Sequence, residues 1–234
     1  MGVRFINAYN TLDHSLRTQY NFKTNISFSD LIRRCSSLNQ VIKLYEDDLI
    51  DFARLRNAII HNRSEEIIAE PHEDVVALIE KVARIVSTPP LAIEAIRSGE
   101  VCTISAEVSL RDLIVETSRV KFTNIPVYKG NVLIGVIRWR VLVEVLGRVI
   151  TEQRSIDKFV SEMTLEQFLR DFPTNSHFRV ASANITIEEV LNLFNRNRKL
   201  SVVIITRDGT VNDKPVGIIT ASDVMDLMKI LESY

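Results

Sequence analysis

Apolar positions recur at helical spacing through the first third of the chain. Phe5, Tyr9, Leu12, Leu16 and Tyr20 lie three or four residues apart, as do Leu31, Cys35, Leu38 and Ile42, the spacing of one helix face. Ser27 or Ser29 is available to cap the second of these helices, and Asp30 favours its positive N-terminal end. A third helix is predicted from Glu46 to Asn62, where Asn62-Arg63-Ser64 breaks it. A fourth carries Val75, Leu78, Ile79, Val82 and Val86, with Pro71 in its first turn. Four helices with short connections predict an antiparallel bundle. Thr88-Pro89-Pro90 ends the periodicity, because the residue before a proline is pushed out of helical geometry.

After the proline pair the pattern changes to alternating strand and helix signals, and it occurs twice. Val101 to Gly147 and Phe178 to Lys229 each read as strand, helix, strand, strand, helix. Val108-Ser109-Leu110-Arg111-Asp112-Leu113 aligns with Ile185-Thr186-Ile187-Glu188-Glu189-Val190, and Thr123-Asn124-Ile125-Pro126-Val127 with Leu200-Ser201-Val202-Val203-Ile204. Gly135-Val136-Ile137 matches Gly217-Ile218-Ile219 once a five-residue insertion is allowed. Two copies are too few for a solenoid, so they are expected to pack on each other about a pseudo-two-fold axis. The cleft between such halves suits a small ligand. The expected organisation is α+β and multidomain: an all-α bundle over residues 1–88, then α/β repeats over 89–150 and 151–234.

Composition narrows the function classes. The chain has 234 residues, 46% of them hydrophobic and 25% charged, which is ordinary for a soluble globular protein. Residues 1–88 hold 11 basic and 12 acidic side chains and the remainder 18 of each, so there is no footprint of tight, constitutive nucleic-acid binding. The longest apolar runs, such as Val202-Val203-Ile204-Ile205, fall far short of a membrane span. Asn7, Asn10 and Asp13 interrupt any signal core after Arg4. Cys35 and Cys102 have no paired spacing, so a cytoplasmic protein with reduced thiols is expected. The scattered histidines give no metal-ligand spacing, and no metal is expected.

The second copy ends in Gly217-Ile218-Ile219-Thr220-Ala221-Ser222-Asp223, at the passage from strand to helix. Gly217 permits close approach of a backbone or ligand. Thr220 offers a hydroxyl beside the free amides of a helix N-terminus, where phosphates are favoured. Asp223 offers a carboxylate to a ribose diol. The same Thr-x-x-acid spacing also serves as a helix-capping pair. The repeat pattern over 101–232, with Ile125-Pro126-Val127 and Gly-x-x-Thr-x-x-Asp at 217–223, resembles the cystathionine-β-synthase (CBS) domain, found as tandem pairs that bind adenosine-containing ligands.

The resemblance implies that Thr220 contacts phosphate and Asp223 grips ribose, with Ile219 and Ser222 beside them. It implies that adenine lies against Val180 and Ala181 of the early strand and Val202 and Val203 of the middle strand. Arg198 and Lys199 are either phosphate partners or a solvated pair of cations. The first copy departs from the pattern, since Arg138 stands where the Thr belongs and Val141 where the Asp belongs. Arg138 and Arg140 are available to phosphates of a ligand held by the second copy, while Trp139 and these arginines equally suit a packing or dimer surface. One good site is expected.

On a helical wheel of the third helix, Leu49, Phe52, Ala53, Leu55, Ile59 and Ile60 form one apolar arc with Arg56 in its middle. A charge there needs a partner, a cleft or a subunit seam. Asp47, Asp48 or Asp51 are candidate partners, and His61 is placed to act as a cation at the helix C-terminus. Asn57 and His61, four apart, share a neighbouring face. Arg56-Asn57-x-x-x-His61, with Ala8 to Arg17 as a first helix, resembles the HEPN superfamily over residues 3–87. That resemblance implies a metal-independent endoribonuclease whose site forms across a dimer seam. There His61 would transfer protons, Arg56 would stabilise charge on the scissile phosphate and Asn57 would position it. Other superfamily members are inactive adaptors.

Together these resemblances imply a homodimeric sensor of AMP, ADP, ATP, S-adenosylmethionine or a dinucleotide. It is coupled to an effector that acts on RNA, or else to a non-catalytic adaptor.

Overall fold

A computed structural model describes residues 1–60, 70–96, 101–118 and 123–234. The first predicted helix forms as α1 (Gly2–Gln19), whose Phe5, Ala8, Leu12 and Leu16 are buried. The second is α2 (Phe28–Ser36), and Ser27 is its cap, accepting from the Asp30 amide at 3.1 Å. The helical face expected from Leu31 to Ile42 is broken, and the chain re-enters as α3 (Gln40–Leu44). The cause is Asn39: its Oδ1 accepts from the Ile42 amide at 3.0 Å while its Nδ2 donates to the Tyr20 hydroxyl at 3.0 Å. A buried Asn satisfied in this way favours a new cap over continued helix. α4 (Glu46–Ile59) stops short of the expected Asn62, with Ile60 extended at φ −104° and ψ 121°. α5 (Glu73–Ser87) starts after His72 and leaves Pro71 outside its first turn. The described residues before Thr88 thus hold five helices rather than four.

The core of this unit is aromatic at its centre. Phe5 meets Phe52 edge-on with centroids 5.7 Å apart, and Tyr9 lies 4.3 Å from Phe28. Arg17, paired with Asp13 at 2.8 Å, also donates to the carbonyls of Lys23 and Ile26 and so fastens the α1–α2 connection. The same compact unit takes in Thr186–Asn192 and Asp226–Tyr234 along with Met1–Leu91. Asn192 Nδ2 donates to Leu38 O at 2.9 Å, and the Tyr234 hydroxyl to Thr88 O at 3.3 Å. Arg84 stacks over the Tyr234 ring at 5.7 Å.

A second unit comprises Ala92–Ile185 and Leu193–Met225. Its first half runs α6 (Ala92–Ala95), β1 (Ile104–Ser105), α7 (Leu110–Thr117), β2 (Asn124–Lys129), β3 (Val132–Arg138) and α8 (Trp139–Thr151). α9 (Ile156–Glu162) and α10 (Leu165–Asp171), not foreseen from the sequence, join the halves. β4 (Phe178–Ser182), β5 (Val202–Thr206), β6 (Pro215–Thr220) and a 3-10 turn (Ala221–Asp223) follow, while α11 (Ile187–Arg196) and α12 (Val224–Ser233), which lie between and after them in the chain, give most of their residues to the first unit. The strands form two three-stranded sheets, β1-β2-β3 and β4-β5-β6. In each, the first pair is parallel and the second antiparallel.

The registers correct the alignment of the copies. Gly135 lies opposite Val127 and Gly217 opposite Ile205, so Val127 corresponds to Ile205 and not to Ile204. The insertion is accordingly one residue shorter than expected. A one-residue shift exchanges the faces of a strand. Here Ile125–Tyr128 and Val202–Thr206 are buried throughout, so no alternation marked the register.

Two glycines should respond oppositely to alanine. Gly209, in the β5–β6 connection, has φ +79°, and a Cβ there would lie 3.0 Å from the Ser182 backbone nitrogen. Gly209→Ala is expected to destabilise by about 1–2 kcal/mol. Gly147, inside α8 with open space around it, should gain about 0.5–1 kcal/mol on the same change. Urea denaturation measures both; equal signs would refute the assignment.

Candidate functional site

β6 delivers Thr220 to the mouth of the 3-10 turn that leads into α12. The Asp223 carboxylate folds back on it. Asp223 Oδ2 accepts from the Thr220 amide at 2.7 Å and from its hydroxyl at 2.8 Å. The capping arrangement allowed by the sequence is therefore present. Both bonds fall on one oxygen, and an ionised carboxylate has about four lone-pair sites. Oδ1 is left to accept from another donor, so capping and ligand contact are compatible uses of this residue. Asp223 and Ser222 are exposed, and Thr220 is half-buried.

The expected adenine-lining residues divide between two faces of the second sheet. Phe178 and Thr220 flank Val202, and Val180 and Ile218 flank Ile204. Since cross-strand partners share a face, Val180 and Val202 stand on the face of Thr220. They pack with Tyr128, Leu133 and Val136 of the first sheet. Val203 pairs with Ile219, and Ala181 and Gly217 both pair with Ile205, on the opposite face. That face is covered by α6 and the residue after it: a Cβ on Gly217 would fall 3.0 Å from Ile93 Cδ1 and 2.6 Å from Ile96 Cδ1. Ala181, Val203 and Ile219 thus do not line the surface that Thr220 faces. Neighbouring side chains of one strand point to opposite faces.

Val216 is in phase with Ile218 and Thr220 along β6. It borders a cleft of about 740 Å³ that is also lined by Thr103, Ile104, Ser105, Tyr128 and Lys214. This volume suits a nucleotide-sized ligand. The Tyr128 hydroxyl donates to Asp213 O at 3.3 Å, and burial pushes its phenol up to about 12, so it stays a neutral donor. These cleft residues escaped the sequence reading; the available signal was the alternation Val216-x-Ile218-x-Thr220, which marks one face.

At the first copy, Arg138 ends β3 opposite Asn124, as Thr220 ends β6 opposite Val202. Arg138 and Trp139 are half-buried, and Trp139 packs against the core of its own repeat. Arg140 is exposed and pairs with Glu144 at 3.1 Å within α8, which spends it on its own helix. Arg198 and Lys199 are exposed.

In the helical unit, Leu49, Phe52 and Ile59 are buried and Arg56 is half-buried among them. Arg56 Nη1 donates to Asn57 Oδ1 at 3.5 Å. Asp51 is taken by Arg54 at 2.8 Å, and no ion pair joins Arg56 to Asp47, Asp48 or Asp51. The Tyr9 phenol is raised by burial and by Asp13, with Arg56 and Arg17 opposing. Ile60, after the end of α4, is extended. His61 itself lies outside the described residues. Cys35 is buried, which pushes its thiol up to about 11 and removes it as a nucleophile. Among the described residues no group of three or more His, Cys, Asp or Glu is placed to hold a metal, and no helix is long and apolar enough to cross a membrane.

The two strand–helix repeats pack sheet against sheet, with a threonine–aspartate turn at the end of β6 and a cleft at the start of that strand. Residues 169–230, which span most of the second repeat, match the family model described as CBS domain. No curated protein sequence matches the chain. Among solved structures, the chain is similar to the CBS domain of a bacterial CNNM/CorC family Mg2+ transporter in complex with ATP. The identity is 18%, with 65% of this chain and 94% of that one covered and a TM-score of 0.47. A CBS domain-containing protein from Kribbella flavida gives 15% identity, coverage of 60% and 99%, and a TM-score of 0.48. A CBS domain pair in complex with 5′-methylthioadenosine and S-adenosyl-L-methionine gives 15%, 59% and 95%, and 0.42.

Proposed function

We propose that this chain is an adenine-nucleotide sensor, built from repeats at 89–150 and 151–234 and coupled to a HEPN-like effector at 1–88. The observation that carries the reading is the Thr220–Asp223 turn at the end of β6. Binding exchanges partners. The Thr220 hydroxyl has one proton, now given to Asp223; turned toward a phosphate, it leaves Asp223 Oδ2 with the Thr220 amide as its one remaining donor. The carboxylate then accepts from both hydroxyls of a ribose diol, while Val216 and Ile218 offer apolar surface to the base. AMP, ADP, ATP and S-adenosylmethionine share this adenosine portion. Calorimetric titration of the full chain with each ligand tests the assignment.

The half-buried Arg56, with no carboxylate partner among the described residues, supports a homodimeric, metal-independent ribonuclease as the effector. Arg56 would neutralise the scissile phosphate, Asn57 would orient it and His61 would move the proton. Purified protein should then cleave single-stranded RNA in the presence of chelator, leaving a cyclic phosphate, and Arg56→Ala and His61→Ala should each remove this. Absence of cleavage at every nucleotide tested rejects it. The end of α4 at Ile59 and the near-neutral charge of residues 1–88 favour the second reading, a dimeric adaptor that reports ligand state to a partner.

A further inference from the structure

A cavity of about 400 Å³ lies in the first unit, and no strand contributes to its described lining. Its walls come from α3, α5, α11 and α12, through residues that all belong to that unit. The buried Val41, Ile85, Leu191 and Leu231 make an apolar floor. Leu44 and Met228 line the same cavity yet are 64% and 41% exposed, which places them at its rim. Large apolar side chains left to water around one concavity are what a ligand with an apolar body covers, and the volume lies in the range of small-molecule sites.

The polar groups of the lining say what else that ligand carries. Gln40, Lys43 and Glu232 border the cavity, and none of their side chains has a hydrogen bond or ion pair among the described residues. The two charges are opposite and do not pair with each other. Glu232 also stands against the field of its own helix. α12 has no basic residue in its last turn, where the helix dipole and the free carbonyls favour a cation. Lys81 Nζ donates to the Glu232 carbonyl, and Lys229 is taken by Asp226 at 3.3 Å, so the Glu232 carboxylate is left without a counter-ion. An ammonium group there would meet both the carboxylate and the negative end of α12. From α3, the Lys43 ammonium and the Gln40 amide offer donors to an anion.

We propose that this cavity binds a free α-amino acid with an apolar side chain. Its ammonium meets Glu232, its carboxylate meets Lys43 and Gln40, and its side chain covers the floor between Leu44 and Met228. A fatty acid would satisfy Lys43 and leave Glu232 facing no cation, and an aliphatic amine would do the reverse; a zwitterion matches both. The inference does not rest on the nucleotide or the ribonuclease reading, because no residue is shared with the Thr220–Asp223 turn or with Arg56, Asn57 and His61.

L-leucine and L-phenylalanine, titrated separately into the full chain by calorimetry, test it. Octanoate and N-acetyl-L-phenylalanine are the comparison arms, each keeping an apolar body and a carboxylate but lacking the ammonium. The expected result is millimolar or tighter binding of at least one amino acid, weakened at least about fivefold in Lys43→Gln and in Glu232→Gln by the loss of one partly solvated charge contact. Both residues are exposed, and unfolding curves matched to wild type show that the variants are folded. Asp223→Ala should bind the amino acid as wild type does, even where it has lost nucleotide, so the two sites fail separately. No binding of either amino acid by wild type, octanoate or the acetylated compound bound as tightly as the amino acids, or equal affinity in either folded variant would overturn the proposal.

Discussion

Asp223→Ala is expected to weaken adenine-nucleotide binding by at least about 100-fold, since it removes two charge-assisted hydrogen bonds worth about 1.5–3 kcal/mol each. The substitution has a second effect that must be separated from the first. Asp223 also accepts from the Thr220 amide and hydroxyl, so alanine removes a cap as well, at about 0.5–2 kcal/mol of stability. Asp112 supplies the control. In α7 of the first repeat its carboxylate accepts from the Ser109 hydroxyl at 2.7 Å, while Ser109 Oγ accepts from the Asp112 amide at 3.1 Å. Asp112→Ala should therefore cost comparable stability and leave nucleotide affinity unchanged. Equal affinity for wild type and Asp223→Ala, measured by calorimetry on folded protein, would sink the ribose assignment.

The repeat was legible because its signals are local. The hydroxyl–acid pairs Ser109–Asp112 and Thr186–Glu189, which cap the first helix of each copy, and the glycines at the same place in the third strand of each sheet survive in the sequence without knowledge of the fold. The register was not. Val202 to Thr206 are buried on both faces, and a strand of this kind gives no period of two from which to read direction. Ala181, Val203 and Ile219 were placed on the ligand side for that reason. The cleft beside Val216 depends on residues from both repeats, such as Tyr128 and Lys214, and long-range juxtaposition has no trace in either segment alone. In the helical unit the apolar spacing gave the buried face of α1 correctly. It carried one helix too far through Asn39, however, where a side-chain amide competes with the backbone for the Ile42 amide. It also ran the next helix past Ile59. The position of Arg56 within an apolar arc was readable from the wheel. Its lack of a carboxylate partner among the described residues was not, because that depends on Asp51 preferring Arg54.

Phe5→Ala should cost about 3–5 kcal/mol, as deletion of a fully buried phenylalanine does when its surroundings relax only in part. Phe5 is 0% exposed. It joins α1 to α4 through its edge-on contact with Phe52 at 5.7 Å and lies 6.5 Å from Tyr9. Such aromatic pairs add to the burial of area itself. Phe5→Leu, which keeps most of the volume, should cost well under half as much. The single tryptophan makes the experiment selective. Trp139 packs in the core of the first repeat, so its fluorescence reports the second unit, while far-UV circular dichroism is weighted toward the helices. In Phe5→Ala the dichroism midpoint in urea should fall well below that of wild type. If the Trp139 transition stays where it was, the helical unit unfolds on its own, and two-state analysis must be applied to each transition separately. If both probes move together, the units unfold cooperatively, which would give a mutation in the bundle a thermodynamic route to the nucleotide site. A change of less than about 1 kcal/mol would contradict the placement of Phe5 at the centre of this core.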